Sequence, residues 1–127
     1  MVFCNLKAKY IFILFVFSIM ACSKNKTEIL FSKTNHSFDT INLLEEPKVY
    51  FKYKNTGNHM HTIDSITHSC GCTIPTFNDL PLPPNQVDSI QVEYDSKSNK
   101  GHFIKEIMVY SNALNSPHKI FIKGFSL

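Results

Sequence analysis

Apolar and polar residues alternate along most of the chain after residue 34, with the two-residue period that is typical of β-strands. The segment "VYFKYK" places Val49, Phe51 and Tyr53 on one side of a strand, and a tyrosine and two lysines on the other. The same alternation occurs in "SIQVEYD" (residues 89–95) and in "KIFIKG" (residues 119–124). The pattern predicts strands that bury one face and expose the other to water.

The segment "FIKEIMVYS" (residues 103–111) differs because apolar residues occupy both of its faces. One face carries Phe103, Ile107 and Val109, and the other carries Ile104, Met108 and Tyr110. We therefore expect this strand to be covered by protein on both sides.

Turn-forming sequences separate these runs. They are "KNTGN" (54–58), "LPLPPN" (80–85), "SKSNKG" (96–101) and "NALNSP" (112–117). Asn, Gly and Pro favour reversals of the chain, and proline has no N–H to give to a strand ladder. The intervening segments predict about seven strands, at residues 35–41, 48–55, 61–68, 71–76, 87–95, 102–111 and 118–125.

Strands at this spacing, with no run that resembles a helix of three turns, predict an all-β domain over residues 34–127. The expected form is an immunoglobulin-like antiparallel β-sandwich of about seven strands, in which two sheets enclose one core. The chain has no tryptophan and no widely spaced cysteine pair after the leader, so that core must consist of Phe, Ile, Val and Tyr side chains.

The first 21 residues have the features of a secretory signal peptide. Lys7 and Lys9 precede the apolar run "YIFILFVFSIM", which is shorter than the roughly 20 residues of a transmembrane helix. The following Ile19-Met20-Ala21-Cys22 resembles a bacterial lipobox, a signal in which the cysteine receives lipid and becomes the first mature residue. Several acyl chains would hold the protein durably on a membrane, since each buried methylene contributes roughly 0.8 kcal/mol.

Residues 22–33 are polar and rich in lysine, and we expect them to form a lipidated tether between membrane and domain. The expected location is the cell envelope, on the periplasmic side of a membrane. A cleaved signal that releases a secreted protein is the alternative, and both place the chain in an oxidising compartment.

The charge pattern argues against a nucleic-acid partner. The net charge is +3, all positive charge comes from lysine, and the two leader lysines account for two of the three charges (3 − 2 = +1). The absence of arginine also removes the bidentate phosphate contact that nucleic-acid binding commonly uses.

The segment "THSCGCTIP" (residues 67–75) carries the candidate chemistry. If it is extended, His68, Cys70 and Cys72 share one face, because residues two apart in a strand point the same way. A disulfide is the first interpretation: extended i, i+2 Cα atoms lie about 6.6 Å apart, at the upper limit for a disulfide, and Gly71 can bend the chain to bring them closer. A bent, inert pair of packed cysteines is a second interpretation.

Metal binding is the third interpretation of this segment. Two thiolates and an imidazole suit Cu or Zn. The spacing is tighter than in structural zinc sites, and a fourth ligand would have to come from His59, His61, His102 or Met60. We favour a disulfide or packed pair over a metal or redox centre, and expect no cofactor under that interpretation.

The sequence resembles the domain of unknown function 1573 family, a group of exported immunoglobulin-like domains common among bacterial lipoproteins. The resemblance covers residues 36–125. It is carried by Asn55-Thr56-Gly57, Ser69-Cys70-Gly71-Cys72-Thr73 with Pro75, Ile90-Gln91-Val92, Lys100-Gly101 with Phe103 and Lys105, and Ser111-Asn112-Ala113. It implies the sandwich fold and brings no assigned reaction.

The sequence contains no recognisable catalytic motif, phosphate-binding loop or zinc-protease helix, and it therefore does not indicate an enzyme. Our first hypothesis is a non-enzymatic envelope lipoprotein, held in the membrane through Cys22, that binds another envelope protein or packs within an assembly. An exposed edge strand could recruit such a partner. The alternative is a Cu- or Zn-binding or thiol-redox protein centred on Cys70 and Cys72 with His68.

Overall fold

The computed structural model describes residues 24–127 of the chain, apart from the side chain of Ser98. The predicted signal peptide (residues 1–21) and the predicted lipidation site, Cys22, lie outside the described residues. The described part consists of strands and one short 3-10 helix at Ser96–Ser98. Its strands are β1 (Ile29–Phe31), β2 (Asn35–Ile41), β3 (Lys48–Asn55), β4 (Ile63–His68), β5 (Thr73–Thr76), β6 (Val87–Tyr94), β7 (Gly101–Ser111) and β8 (His118–Ser126).

The strands form two four-stranded sheets that pack as a sandwich. Sheet A has the order β1-β3-β6-β5, and sheet B has the order β2-β8-β7-β4. The predicted all-β sandwich is therefore confirmed, with one difference: β2 runs parallel to β8, so sheet B is mixed rather than purely antiparallel. The chain crosses from sheet A to sheet B between β1 and β2. No helix long and apolar enough to span a membrane occurs in residues 24–127.

The buried core follows the alternation of the sequence. The inward residues that the pattern predicts are all buried: Val49, Phe51, Tyr53, Ile90, Val92, Tyr94, Phe103, Ile107, Val109, Ile120 and Ile122. Tyr94 and Phe103 stack with ring centroids 4.0 Å apart. Gly124 makes room for this stack, because a Cβ at Gly124 would lie 2.9 Å from the Phe103 ring.

The expectation that β7 is covered on both sides is wrong. Ile104 is 72% exposed and Tyr110 is 39% exposed on the outer face of sheet B. No third layer packs on this face within residues 24–127, because all eight strands of this part of the chain belong to the two sheets. The additional apolar residues of β7 form a surface feature rather than a second core.

Part of the segment expected to be a tether (residues 22–33) belongs to the folded domain. Ile29 pairs with Asn55 and Phe31 pairs with Tyr53, and the side chains of Ile29 and Phe31 are buried. The short run Ile-Leu-Phe already has the alternation of an edge strand, with Leu30 exposed between its two buried neighbours. Within residues 24–127 the sandwich therefore has eight strands, one of which precedes the expected start of the domain.

Two strands begin later than the sequence predicts. β4 begins at Ile63, while His61 forms an isolated bridge with Leu82. β5 begins at Thr73, because residues 69–72 form a turn instead of an extended strand. This turn contains the two cysteines and connects the edge strand of sheet B to the edge strand of sheet A.

Candidate functional site

The cysteine-containing turn is fixed to both sheets by backbone hydrogen bonds. The Ser69 N–H donates to the Glu106 carbonyl at 3.1 Å, and the Glu106 N–H donates to the Ser69 hydroxyl at 3.3 Å. On the other side, the Asp95 N–H donates to the Cys72 carbonyl at 2.8 Å. The turn therefore links β7 of sheet B with the end of β6 in sheet A, at one side of the sandwich.

Cys70 and Cys72 are joined as a disulfide across Gly71, with Cα atoms 5.3 Å apart. The Cα separation is shorter than that of an extended i, i+2 pair, because the chain bends at this point. The Thr73 N–H donates to the Cys70 carbonyl at 3.3 Å and closes the bend. Cys72 is 3% exposed within the core, whereas Cys70 is half-buried and packs against the edge of that core. The turn thus combines a packed cysteine with one that solvent reaches.

His68 does not share a strand face with the cysteines, because β4 ends at His68 and the turn begins there. Its Nδ1 lies 2.6 Å from the Cys70 carbonyl oxygen, which is a hydrogen-bond acceptor. This ring nitrogen therefore donates to the backbone of the turn. The imidazole is exposed and supports the turn from outside.

The structure does not gather the other residues that the sequence offers as metal ligands. His61 is buried in the core, with its ring 5.5 Å from the Tyr53 ring. His102 packs on Phe125 at the outer face of sheet B. No group of three or more His, Cys, Asp or Glu side chains that could hold a metal ion occurs among residues 24–127.

A shallow depression of about 590 Å³ lies away from the cysteines. Its lining includes Asp39, His102, Lys123 and Phe125, at the outer face of sheet B where β2 bulges. These are surface groups of both charges, and the cysteine-containing turn does not contribute to the lining. The candidate site is therefore the turn with the edge strand that leads into it, rather than a cavity.

The four edge strands differ in how far their free edges are protected. At β1, the side-chain amide of Asn115 takes the place of a neighbouring strand. Its Nδ2 donates to the Ile29 carbonyl at 2.8 Å, and its Oδ1 accepts from the Ile29 N–H at 3.4 Å. The outward backbone groups of Ile29 are therefore already satisfied.

β5 is protected by a proline. The Asp95 N–H donates to the Cys72 carbonyl, so the backbone groups of Cys72 point toward β6. Every second residue of a strand points its backbone groups the same way, so those of Ile74 and Thr76 also point toward β6. Pro75 then occupies an outward position, where a missing N–H prevents pairing with a further strand. This edge resists strand addition.

β2 is protected by an irregularity. Its register shifts between Ser37 and Thr40, and Asp39 adopts a φ of 56°, which turns the chain out of the strand direction. A bulge with a charged residue at its centre interrupts the edge after three paired residues.

β4 also has a bulge with a charged residue, Asp64, but the four residues that follow it form the longest stretch of free edge without a proline, a cap or a bulge. After a register shift near Ile63, residues 65–68 pair without interruption with β7. The Ser69 N–H donates to the Glu106 carbonyl, so the backbone groups of Ser69 point toward β7. The direction of the backbone N–H and C=O groups alternates from one residue to the next along a strand, so those of Ile66 and His68 point away from β7. No proline or charged residue interrupts residues 65–68, and no side chain caps the outward groups of Ile66 within the described chain.

The cysteine motif is visible in the sequence, whereas the open edge of β4 is not. Pro75 was a visible signal, since a proline inside a four-residue strand marks an edge. The capping by Asn115 had no signal, because Ile29 and Asn115 are 86 residues apart and meet only in the fold.

Comparisons with known proteins agree with this architecture. A family model described as "Protein of unknown function (DUF1573)" matches residues 29–126. No curated protein matches the chain.

Solved structures show the same fold at low sequence identity. A protein of unknown function from Porphyromonas gingivalis W83 has a TM-score of 0.72 at 13% identity, covering 84% of this chain and 50% of that one. The ASH / PapD-like domain 7 of human CEP192 has a TM-score of 0.67 at 10% identity, covering 80% and 87%. The secreted serine protease VesC from Vibrio cholerae has a TM-score of 0.58 at 6% identity, covering 79% and 23%. The chain thus spans about half the length of the Porphyromonas protein.

Proposed function

The chain belongs to the family described as "Protein of unknown function (DUF1573)", and from this premise we propose that it is a non-enzymatic binding module of the bacterial cell envelope. In this proposal lipid on Cys22 anchors the protein in a membrane, with the domain in the periplasm. Its binding site is the free edge of β4, which accepts an extended segment of a partner protein as an additional strand of sheet B.

The unprotected edge of β4 is the observation that carries this proposal. A partner strand would pair with the outward N–H and C=O groups of Ile66 and His68. Each backbone hydrogen bond contributes about 1 kcal/mol net. The half-buried Ile66 side chain gives an apolar contact beside that edge, and the exposed Ser65 and Thr67 side chains lie on the opposite face.

The arrangement of titratable groups on β4 supports a binding role over a catalytic one. Asp64 and His68 lie at opposite ends of the exposed edge. Four residues of extended strand span about 13 Å, which is too far for one acid–base pair to act on a single bond. The interior of the sandwich is filled with apolar side chains rather than open to a substrate.

The edge hypothesis is tested by in vivo photo-crosslinking. A photoreactive residue at Thr67, which is exposed, should form an adduct with an envelope protein. His68→Pro removes an outward N–H and should reduce the adduct severalfold, whereas His68→Ala keeps that N–H and should preserve it. Equal adduct yields in the two variants would exclude strand addition at β4. An adduct only with a second copy of this chain would show self-association instead of a different partner.

The anchor has an independent test. Mass spectrometry of the N-terminal peptide should show acyl chains on Cys22, and Cys22→Ser should release the protein from the membrane fraction. An unmodified Cys22 in membrane-purified protein would contradict the anchor without affecting the test of the β4 edge.

Thiol–disulfide exchange is a second candidate function, because Cys70 is half-buried while Cys72 is inaccessible. A thiolate of a partner dithiol would attack the Cys70 sulfur and break its bond to Cys72, which leaves as a thiolate. The second partner thiol would then release reduced Cys70 and form the partner's disulfide. Free-thiol counts that do not change across glutathione buffers of different potential would exclude this role. The described residues provide no comparable support for a Cu or Zn site.

A further inference from the structure

We propose that one end of the sandwich lies directly on the phospholipid surface. This end, here called the basal end, consists of residues 24–28 and the loops at 56–60 and 112–116. The inference rests on the proposed lipidation of Cys22, and it specifies how the anchored domain is oriented and which residues contact lipid.

The chain becomes part of the domain almost immediately after Cys22. Asn58 holds this segment: its Oδ1 accepts from the Lys26 N–H at 2.6 Å, and its N–H donates to the Lys26 carbonyl at 2.8 Å. The Asn58 Nδ2 also donates to the Lys24 carbonyl at 3.2 Å. Thr27 is 7% exposed. The segment therefore has fixed positions from Lys24 onward.

The remaining connection to the proposed anchor is very short. Two residues span at most about 7 Å when they are fully extended. The headgroup layer on each side of a bilayer is about 5–7 Å thick. Acyl chains on Cys22 would thus hold Lys24 within or just above the headgroups, and the basal end would have no flexible linker to separate it from the bilayer.

The basal end exposes the residue types that suit such a position. Leu114 is 72% exposed, and its N–H donates to the Thr27 carbonyl at 2.8 Å. Met60 is 44% exposed, and its carbonyl accepts from the Thr27 hydroxyl at 3.4 Å. Both apolar side chains are therefore attached next to the first buried residue of the domain.

Lysines accompany these apolar residues. Lys24 and Lys26 are exposed at the same end, and Lys26 forms an ion pair with Glu28. Surfaces that lie in a bilayer interface typically combine apolar side chains with neighbouring lysines. The apolar side chains enter the interface, and the ammonium groups contact anionic headgroups.

Exposure of a leucine alone does not identify a membrane contact. Leu44 is 87% exposed, but it lies at the opposite end of the sandwich, before β3, beside the exposed Glu45 and Glu46. A strand of eight residues such as β3 is about 26 Å long, so Leu44 is far from the proposed lipid surface. Leu44 therefore provides a matched control.

In this orientation the strands run away from the membrane surface rather than along it. β4 starts at the basal end with Ile63, which pairs with Ser111, and runs away from the bilayer toward the cysteine-containing turn. Its free edge would face sideways into the periplasm, where a partner strand can approach without meeting lipid.

The absence of tryptophan from the sequence permits a direct test. The full lipidated protein is prepared with Leu114→Trp, Met60→Trp or Leu44→Trp and reconstituted in phosphatidylethanolamine–phosphatidylglycerol vesicles with or without brominated acyl chains. We expect bromine to quench fluorescence at positions 114 and 60 at least twofold, and to leave position 44 unchanged. Two basal positions are used so that one poorly folded variant does not decide the result.

Equal fluorescence with and without bromine at both basal positions would overturn the inference, provided that mass spectrometry shows lipid on Cys22. Equal quenching at all three positions would also overturn it, because the domain would then have no preferred end toward the bilayer. A Cys22 without lipid would instead refute the proposed anchor, so the two failures are distinguishable.

Discussion

The main chain at Lys26 lies directly against Gly57. A Cβ placed on Gly57 would meet the Lys26 carbonyl oxygen, and it would lie 2.8 Å from the Glu28 nitrogen and 2.9 Å from the Thr27 Cα. These neighbours are backbone atoms, which cannot rotate away as a side chain can. The Asn-Thr-Gly turn after β3 is therefore the surface against which the N-terminal segment folds.

Gly57→Ala should destabilise the protein because the N-terminal segment must move away from the added methyl group. Overpacking of this kind costs about 1–3 kcal/mol. Urea unfolding followed by circular dichroism measures the loss. Gly71→Ala is the matched control, since no atom beyond the two adjacent residues lies within 4 Å of a Cβ at that position, and its effect should stay within about 0.5 kcal/mol. Equal effects of the two substitutions would show that the contact at Gly57 is unimportant.

The core could be predicted from the sequence because a period of two fixes which side chains share a face. Val49, Phe51 and Tyr53 needed only their own strand to be assigned correctly. The same rule could not tell whether the second face of β7 is covered, since that depends on a third layer. Ile104 therefore has the sequence pattern of a buried residue and the environment of an exposed one.

The candidate site was less predictable, because its features depend on residues that are distant in sequence. The cysteines stand out as a motif, but the bend between them ends β4 and removes the shared face expected with His68. Ile29 shows the other limit: a three-residue strand gives a weak periodic signal, and its edge is completed by Asn115. Neither the bend at the cysteines nor the capping of Ile29 by Asn115 can be predicted from the sequence alone.

Asn115→Ala should destabilise the protein by about 1–2 kcal/mol, because it removes two hydrogen bonds to the Ile29 backbone. It should also expose the edge of β1 to pairing with other chains. Urea unfolding measures the first effect, and sedimentation velocity measures the second. Asn35→Ala, at an exposed position of β2, is the control and should change neither. A fully monomeric Asn115→Ala variant of unchanged stability would contradict the capping role.

The protein should lose stability as the pH falls below about 6.5, the ordinary pKa of histidine. Burial lowers the pKa of His61, and the neighbouring His118 lowers it further, while Asp64 acts in the opposite direction. Burial also lowers the pKa of His118. Both rings are therefore more easily protonated in the unfolded chain, so their contribution is complete above pH 6.5 and decreases on acidification.

The expected slope is at most about 1.4 kcal/mol per pH unit for each histidine. Unfolding free energies at pH 7.5 and pH 5.0 give the measurement. His61→Phe keeps a ring beside Tyr53 and should reduce the slope. A slope that is unchanged in His61→Phe would assign the pH dependence to other groups.

Cys72→Ser should destabilise the protein more than Cys70→Ser. Cys72 lies in the core, and burial of a hydroxyl group without a partner costs about 1–3 kcal/mol. Cys70 is only half-buried, so serine at that position can keep its hydroxyl group hydrated. Neither variant can form the Cys70–Cys72 disulfide. Reducing conditions keep the remaining cysteine as a free thiol, so burial of the substituted side chain is the main difference between the two variants.

The disulfide itself should add less stability than one that closes a long loop, because only Gly71 lies between the two cysteines. Reduction of the unmodified protein should therefore lower the urea midpoint less than Cys72→Ser does. Equal effects of reduction and of Cys72→Ser would mean that the covalent link, which both changes remove, holds the turn between the two sheets and that the packing of Cys72 adds nothing. In that case reduction should also weaken the β4 edge, since β4 ends where the turn begins.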